Sequence, residues 1–201
     1  GSCDKIFINT SGIGEIYSAG LSLRNIRSGD SVILSGTIGE HAIGVLSKRE
    51  GISFSSKVKS DSAPLNSLIS KVLKISDKIK FMRDPTRGGV ATTLNEMVIE
   101  GGFGIAIDEK RLPVTGPVRA ACELLGFDPL YLACEGRVII VAGRDDESKI
   151  LRTMKRGPLG KRSCIIGRVT SECRGKVYLN TISGGKRMIG MLTGEQLPRI
   201  C

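Results

Sequence analysis

Several residue types are scarce in this 201-residue sequence, and each scarcity excludes a class of function. Tryptophan is missing and aromatic residues make up only 4% of the chain, so platforms for stacking single-stranded nucleic acid are few. His41 is the only histidine and the six cysteines include no CxxC pair, which argues against a zinc site. Apolar runs such as VIIVAG are short, so neither a membrane span nor a secretory signal is predicted. We therefore expect a cytoplasmic protein whose cysteines are thiols.

The net charge of +10 raises the question of a nucleic-acid partner. The basic residues are scattered along the chain and do not form one arm, which argues against this partner. Solvated helix faces explain most of the lysines, and attraction to phosphorylated small molecules or to an acidic partner explains the rest. A non-catalytic basic binding module stays open as an alternative, and it would bind nucleic acid in a salt-sensitive way.

Segments of helical and strand-like pattern alternate along the chain. Apolar residues recur at helical spacing in 63–79, where Leu65, Leu68 and Val72 share one face, and short apolar runs indicate strands. The predicted helices are 39–51, 63–79, 86–102, 116–126 and 145–157, and the predicted strands are 31–37, 80–84, 103–109, 136–143, 163–170 and 176–182. This pattern predicts an α+β domain, a mixed β-sheet with helices packed on one face.

The stretch RDPTRGG, residues 83–89, is the most informative interior motif. Its proline forces Asp84 out of the helical region, and Thr86 can then cap the following helix. Gly88 and Gly89 are costly in a first helical turn. Either an anionic group such as phosphate approaches the backbone there beside Arg87, or the helix packs tightly against the sheet. Local physics leaves both explanations open.

Glu135 and His41 are two further candidates. Glu135 precedes a buried strand in ACEGRVIIV, where a carboxylate with a raised pKa could act as a base. A solvated carboxylate in a turn is the simpler alternative. His41 lies in the glycine-rich turn SGTIGEHAIG, and it could equally be a satisfied surface histidine.

The sequence ends in LPRIC, so its final residue is Cys201. This cysteine could be an accident of sequence, one half of a disulfide, or a thiol on an arm that moves between sites. Residues 183–201 show no strong period and contain the pair Gly184–Gly185. We therefore predict a mobile C-terminal tail over 183–201 with a hinge at these glycines.

Four stretches occur in a characteristic order: LSGTIGEHAIGVLSKREG, KFMRDPTRGGVATTLNEM, ACEGRVIIV and LPRIC. Together they resemble HypE-type hydrogenase maturation proteins, which are carbamoyl dehydratases of the PurM-like superfamily of ATP-using enzymes. The resemblance implies a PurM-like C-terminal domain. Other members of the superfamily, selenophosphate synthetase and a purine-pathway synthetase, lack the terminal cysteine and remain the alternative.

The resemblance also implies a reaction and its residues. A carbamoyl group on Cys201 would be dehydrated to a thiocyanate with use of ATP, for delivery of a cyanide ligand to the iron of a [NiFe]-hydrogenase. Glu135 aligns with the proposed catalytic glutamate of the family. Five residues would lie near the nucleotide phosphates: Asp84, Thr86, Arg87, Gly88 and Gly89. ATP and Mg²⁺ would be bound mainly by an N-terminal domain, so no metal ligand is assigned here.

Domain boundaries and partners follow from the same resemblance. Residues 1–2 resemble a vector scar. The remnant of the N-terminal ATP-binding domain, with a linker, would comprise residues 3–30. The PurM-like domain would comprise residues 31–182, and the tail would follow it over 183–201. The implied partners are a HypF-type carbamoyltransferase and a HypC–HypD-type scaffold complex, with a homodimer for the whole protein. The chain alone is expected to be inactive and to bind neither nucleic acid nor a membrane.

Overall fold

Seven strands form a mixed sheet in the computed structural model, which describes residues 9–16, 20–52, 54 and 57–194. Their order across the sheet is β2-β4-β1-β5-β3-β6-β7. The β3–β6 pair is parallel and the other pairs are antiparallel. The strands are β1 (Ser31–Leu34), β2 (Ile79–Arg83), β3 (Gly104–Asp108), β4 (Ile139–Ala142), β5 (Cys164–Thr170), β6 (Val177–Asn180) and β7 (Lys186–Ile189).

The described residues form five α-helices. They are α1 (Glu40–Arg49), α2 (Asn66–Ile75), α3 (Gly89–Gly101), α4 (Gly116–Leu125) and α5 (Glu147–Lys155). Helix α3 packs on one face of the sheet, α2 and α5 pack on the other, and α1 and α4 pack against each other. Successive side chains of a strand point to opposite faces: Val32 and Leu34 of β1 pack in the same core as α3, whereas Ile33 packs with α2 and α5. The α+β class and the mixed sheet are confirmed, but the helices occupy both faces, where the sequence pattern predicted one.

Burial explains why the central strands are uniformly apolar. All four residues of β1 and of β4 are buried, as expected for strands covered on both faces. On α3, Val90, Leu94 and Met97 are at most 1% exposed, and burial of each such side chain contributes roughly 1.5–3 kcal/mol. In the part of the chain that the structure describes, no helix has the length and apolar character to cross a bilayer.

The chain after β6 departs from the predicted tail. Gly184, with φ 88°, lies in the turn that joins β6 to β7, and Thr181 N–H donates to the carbonyl of Gly185 at 2.8 Å across that turn. Residues 186–189 then pair with β6. The hinge expected at Gly184–Gly185 is therefore wrong, because these glycines close a hairpin. The remaining tail is called the arm below and comprises residues 191–201, of which 195–201 lie outside the described residues.

The start of the arm is anchored to the domain at Gly190. Asn95 on α3 is buried, and its Nδ2 donates to the carbonyls of Ile189 at 3.0 Å and Gly190 at 3.1 Å. The hydroxyl of Tyr131 donates to the same Gly190 carbonyl at 3.1 Å. Since hydrogen bonds to buried polar groups are costly to lose, Gly190 is a fixed point of the chain.

Residues 20–30, assigned from sequence to the remnant and linker, pack against the sheet. Ser22 N–H donates to the carbonyl of Lys80 in β2 at 2.7 Å, and Gly29 N–H donates to Val169 in β5 at 2.9 Å. Asp30 is buried and forms an ion pair with Lys80 at 2.9 Å. Backbone hydrogen bonds and an ion pair thus attach this segment to strands β2 and β5. Residues 1–2 lie outside the described residues.

Candidate active site

The loop of residues 84–89 joins β2 to α3 and is shaped by its proline and glycines. Pro85 is buried, whereas Asp84 and Arg87 are exposed. Gly88 and Gly89 have φ values of 72° and 62°, in the left-handed region that favours glycine. The loop therefore has a backbone path that other residues adopt only with strain, and its charged side chains lie at the surface.

The N-cap of α3 is Gly88 and not Thr86. Gly88 makes no side-chain cap, and Thr86 contributes its backbone carbonyl, which accepts a hydrogen bond from Gly89 N–H at 3.0 Å. The predicted cap by the Thr86 side chain is therefore wrong. The physical reason is the tight turn at 86–89. Because of this turn the helix begins only at Gly89, so the Thr86 side chain is not at the N-cap position.

Gly89 is required by close packing. A Cβ atom at this position would lie 2.6 Å from the carbonyl oxygens of Leu130 and Leu132, which is far inside van der Waals contact. Tight packing, one of the two explanations that the sequence left open, thus accounts for Gly89. Contact between this loop and a phosphate stays a prediction.

A second loop, residues 133–138 before β4, lies against the first. Cys134 is fully buried, and its backbone N–H donates to the carbonyl of Pro85 at 3.1 Å. Glu135 follows it and is half-buried. Within the described residues, the buried Oε1 atom of Glu135 has no hydrogen-bond partner. Such an unpaired buried oxygen is costly and calls for a functional explanation. The hydrogen bond at Cys134 joins the loop of Glu135 to the loop of residues 84–89, and the role of Glu135 as a base stays a prediction.

A charged cluster of Glu40, Asp61 and Arg137, called the Asp61 cluster below, contacts the backbone of Glu135. The Asp61 side chain is 1% exposed, and its Oδ1 accepts a hydrogen bond from Glu135 N–H at 3.1 Å. Its Oδ2 lies 3.4 Å from Nε of Arg137, and Oε2 of Glu40 lies 3.8 Å from Nη2 of Arg137. One guanidinium thus pairs with the buried carboxylate of Asp61 and the partly buried carboxylate of Glu40, which reduces their desolvation cost.

Thr37 completes the environment of Arg137. Nε of Arg137 donates to the carbonyl of Thr37 at 2.7 Å and Nη2 donates to its Oγ1 at 3.2 Å. Burial raises the pKa of Glu40, and a hydrogen bond with Thr37 and the charge of Arg137 act in the opposite direction. Sequence inspection missed the Asp61 cluster because its members come from three separate segments that share no motif. A charged residue two positions after Glu135 was the only available signal.

An open cavity of about 460 Å³ borders the Asp61 cluster. Its lining carries both signs of charge, from Glu40, Asp61, Arg137, Lys161 and Arg162. The cluster is thus next to solvent on one side although Asp61 itself is shielded.

His41 joins α1 to the segment that carries Asp61. Its Nδ1 lies 2.9 Å from Oγ of Ser60, and its Nε2 is buried without a hydrogen-bond partner among residues 9–16, 20–52, 54 and 57–194. Gly39 has φ 86° and is the N-cap of α1, and a Cβ there would lie 2.8 Å from Cγ1 of Val118. The glycine-rich turn is therefore explained by helix initiation and packing.

Three of the described cysteines are poor nucleophiles because burial raises the pKa of their thiols. Burial raises the pKa of Cys122 and Cys164 to about 11 and that of Cys134 to about 12. These three side chains are thiols at neutral pH, whereas the thiolate is the reactive form. Cys201 lies outside the described residues, so its role as the acceptor stays a prediction.

A metal centre is not assembled by the described residues. They contain no group of three or more His, Cys, Asp or Glu side chains that could hold a metal ion. Since Mg²⁺ is bound by oxygen ligands, chiefly carboxylates and phosphates, we assign no Mg²⁺ ligand in this part of the chain.

Sequence comparison relates the chain to one family of proteins. The model for the C-terminal domain of AIR synthase related proteins matches residues 27–180. The carbamoyl dehydratase HypE of Cupriavidus necator is 44% identical over 203 residues, which cover 100% of this chain and 58% of that protein. HypE of Azotobacter vinelandii is 43% identical, with 100% and 59% covered. The chain therefore spans less than two thirds of the length of these relatives.

Solved structures of HypE share the fold at similar identities. A hydrogenase maturation protein HypE matches with a TM-score of 0.87 and 41% identity, over 92% of this chain and 60% of that chain. HypE in complex with ATP matches with a TM-score of 0.84 and 41% identity, over 90% and 55%. The HypE–HypF complex matches with a TM-score of 0.83 and 44% identity, over 88% and 58%.

Proposed function

Because the chain belongs to the family of AIR synthase related proteins and is homologous along its whole length to HypE carbamoyl dehydratases, we propose that it is the C-terminal part of an ATP-dependent carbamoyl dehydratase of hydrogenase maturation. The observation that carries the proposal is the contact between its two motif loops. A hydrogen bond from Cys134 N–H to the Pro85 carbonyl joins these loops, which supports our proposal that Glu135 and residues 84–89 contribute to one wall of a site.

The proposed reaction converts a carbamoyl group on the sulfur of Cys201 into a thiocyanate. The carbamoyl oxygen receives the terminal phosphoryl group of ATP, which makes it a leaving group. The C–O bond then breaks and inorganic phosphate departs, while two N–H protons are removed and the carbon–nitrogen triple bond forms. Delivery of the cyanide ligand to iron then breaks the S–C bond and needs two electrons to restore the Cys201 thiolate, which the iron-bearing acceptor complex would have to supply.

Glu135 is the base that we propose for removal of the N–H protons. Its carboxylate has a buried oxygen, Oε1, for which the described residues supply no hydrogen-bond donor. A substrate N–H group would satisfy this oxygen. A base must lie within hydrogen-bond reach of the proton that it accepts, and the half-buried side chain of Glu135 leaves part of the residue open to such an approach.

Residues Asp84, Thr86, Arg87, Gly88 and Gly89 are proposed to lie near the nucleotide phosphates. The exposed guanidinium side chain of Arg87 and the turn before α3 suit an anionic group. A solved structure of the homologous HypE contains ATP, which supports nucleotide binding. Mg²⁺ would be held mainly by the N-terminal part of the whole protein and by the phosphates themselves.

The proposed partners follow from homology. A HypE–HypF complex has been solved, which supports a HypF-type carbamoyltransferase as the donor to Cys201. A HypC–HypD-type complex as the cyanide acceptor and a homodimer of the whole protein rest on the family resemblance.

The proposal is tested in the full-length protein supplied with a HypF-type transferase, carbamoyl phosphate and ATP. Mass spectrometry of the C-terminal peptide separates the carbamoyl and thiocyanate forms of Cys201. We expect Glu135→Gln to accept the carbamoyl group normally and to form thiocyanate at least about 100-fold more slowly, the usual effect of removing a general base. Glu123→Gln, an exposed change on α4, is the matched control and should behave as wild type.

Two results would contradict the proposal in different ways. Thiocyanate formation by Glu135→Gln at a near-normal rate would remove this residue from the chemistry. Carbamoylation of a Cys201→Ala variant would show that the carrier is elsewhere, and another ATP-dependent synthetase of the superfamily would then describe the protein better.

A further inference from the structure

Two atoms of the Asp61 cluster hold the backbone on either side of the Glu135 side chain. Oδ1 of Asp61 accepts a hydrogen bond from Glu135 N–H at 3.1 Å. Nη1 of Arg137 donates to the carbonyl of Gly136 at 3.0 Å. The backbone from which the Glu135 carboxylate projects is therefore oriented by buried side chains.

The segment that carries Asp61 also packs directly on this backbone. A Cβ atom at Gly136 would overlap the carbonyl oxygen of Asp61 and would lie 3.0 Å from the backbone nitrogen of Ala63. Only glycine allows such an approach. Residues 61–63 thus form a rigid support behind the Glu135 loop.

The burial of Asp61 suggests that its contacts order the Glu135 loop more than they stabilise the domain. The side chains of Asp61 and Arg137 are 1% and 13% exposed, and a buried ion pair contributes little net stability over an apolar pair of similar volume. A hydrogen bond from a backbone N–H to a carboxylate is charge-assisted and stronger than one between neutral groups. The pair is therefore better suited to ordering the loop than to stabilising the domain.

We propose that Asp61 is a positioning residue for Glu135, acting through the backbone of residues 135–136. The inference rests on the proposed function, in which Glu135 accepts the N–H protons of the carbamoyl group. Displacement of a reacting group by about 1 Å can lower a rate by about 100-fold. Loss of the Asp61 acceptor would release the Glu135 backbone and so slow proton removal, while leaving carbamoyl transfer to Cys201 unaffected.

Single-turnover dehydration of carbamoylated Cys201 in the full-length protein tests this role. We expect Asp61→Ala to lower the rate by about 10- to 100-fold, with normal carbamoyl loading and an unchanged KM for ATP. Asp61→Asn keeps an acceptor oxygen for Glu135 N–H and should retain most of the rate and the pH profile of the wild type. Rescue by asparagine would show that the acceptor, and not the charge, is what matters.

Asp30→Ala is the matched control. Asp30 is also a buried aspartate that accepts from a backbone N–H, that of Arg27 at 2.6 Å, and pairs with a cation, Lys80. This variant should lose thermal stability without losing dehydration rate. A rate loss equal to that of Asp61→Ala would point to general destabilisation and would overturn the proposal.

Other outcomes are equally decisive. A wild-type rate for Asp61→Ala, or a rate for Asp61→Asn as low as that of alanine, would overturn the positioning role. If Asp61→Ala does not fold, Asp61→Glu replaces it: it keeps the charge beside Arg137 but displaces the acceptor by one methylene, so a wild-type rate would again overturn the role. Normal conversion by Glu135→Gln would instead refute the proposed function itself.

Discussion

At the scale of single residues, α3 uses glycine for two different physical needs. Gly102 ends the helix with φ 70°, and nothing lies within 4 Å of a Cβ built there. Gly89 begins the helix with φ 62° and is also pressed against the carbonyl oxygens of Leu130 and Leu132. Gly102 is needed only for its left-handed backbone conformation, whereas Gly89 is also needed because a side chain at its position would collide with neighbouring carbonyl oxygens.

Replacing each glycine by alanine separates these two needs. Gly89→Ala should lower the free energy of unfolding by about 2–5 kcal/mol, because left-handed strain of about 1–2 kcal/mol adds to overpacking of about 1–3 kcal/mol. Gly102→Ala should cost about 1–2 kcal/mol from strain alone. Urea unfolding of both variants measures the difference, and equal losses would show that the contact at Gly89 relaxes without cost.

At the scale of elements, the carboxylate of Glu147 connects α5 to two strands, through an ion pair with β5 and a hydrogen bond with β1. Nη1 and Nη2 of Arg168 in β5 donate to the two carboxylate oxygens of Glu147 at 2.6 and 3.1 Å. Ser31 of β1 donates to the same carboxylate. The hydrogen bond from Arg168 lowers the pKa of Glu147, with burial acting in the opposite direction.

This lowered pKa predicts the pH dependence of stability. A carboxyl group that is more acidic in the folded state contributes stability above its unfolded pKa and loses it as the pH falls through the folded value. The contribution of Glu147 is therefore complete above its ordinary pKa of 4.5 and is lost progressively below it. Glu147→Gln should destabilise the protein at neutral pH and should flatten the decline of the melting temperature below pH 4.5. Exposed Glu123→Gln should do neither, and an unchanged acid decline in Glu147→Gln would exclude the pair as its source.

Most helices and strands were predictable from apolar periodicity, and the exceptions have physical reasons. β7 was missed because its sequence KRMI leaves three of four residues exposed, so no alternation marks a strand at the sheet edge. The predicted start of α3 at residue 86 was wrong because Thr86 is a common N-cap residue type. The sequence does not show that Gly88 and Gly89 form a turn with positive φ at the start of the helix.

The candidate site was predictable only where a motif marked it. The motifs marked the loop of Glu135 and the loop of residues 84–89, which the hydrogen bond from Cys134 N–H to the Pro85 carbonyl joins. Asp61 could not be found in this way, because its importance comes from burial and from a hydrogen bond to a residue far along the chain. Such contacts depend on tertiary packing and leave no local pattern.

At the scale of the whole molecule, the described domain has apolar cores on both faces of its sheet. The core clusters are formed within the domain itself, which is the condition for independent folding. The charged residues of the loop 84–89 lie at its surface. The described residues also lack a group that could hold a metal ion.

We therefore expect the 201-residue chain to fold alone and to bind ATP more weakly than the full-length protein. The reason is that phosphate and Mg²⁺ ligands from outside this chain would be missing. Isothermal titration calorimetry with Mg²⁺ and ATP compares the two proteins, and circular dichroism checks folding. Micromolar affinity of the chain alone would contradict this expectation.

The anchor at Gly190 has a consequence for the rate at which the carrier thiol meets its site. Cys201 is the eleventh residue after Gly190, so the thiol cannot travel farther than about 40 Å from this point. Under the proposed function, its encounter with Glu135 is intramolecular, with an effective concentration set by the length of the tether and in the millimolar range for short linkers. Under that proposal, the contacts of Asn95 and Tyr131 with Gly190 would set the length of the tether and so the local concentration of the carbamoyl group, although neither side chain needs to touch it.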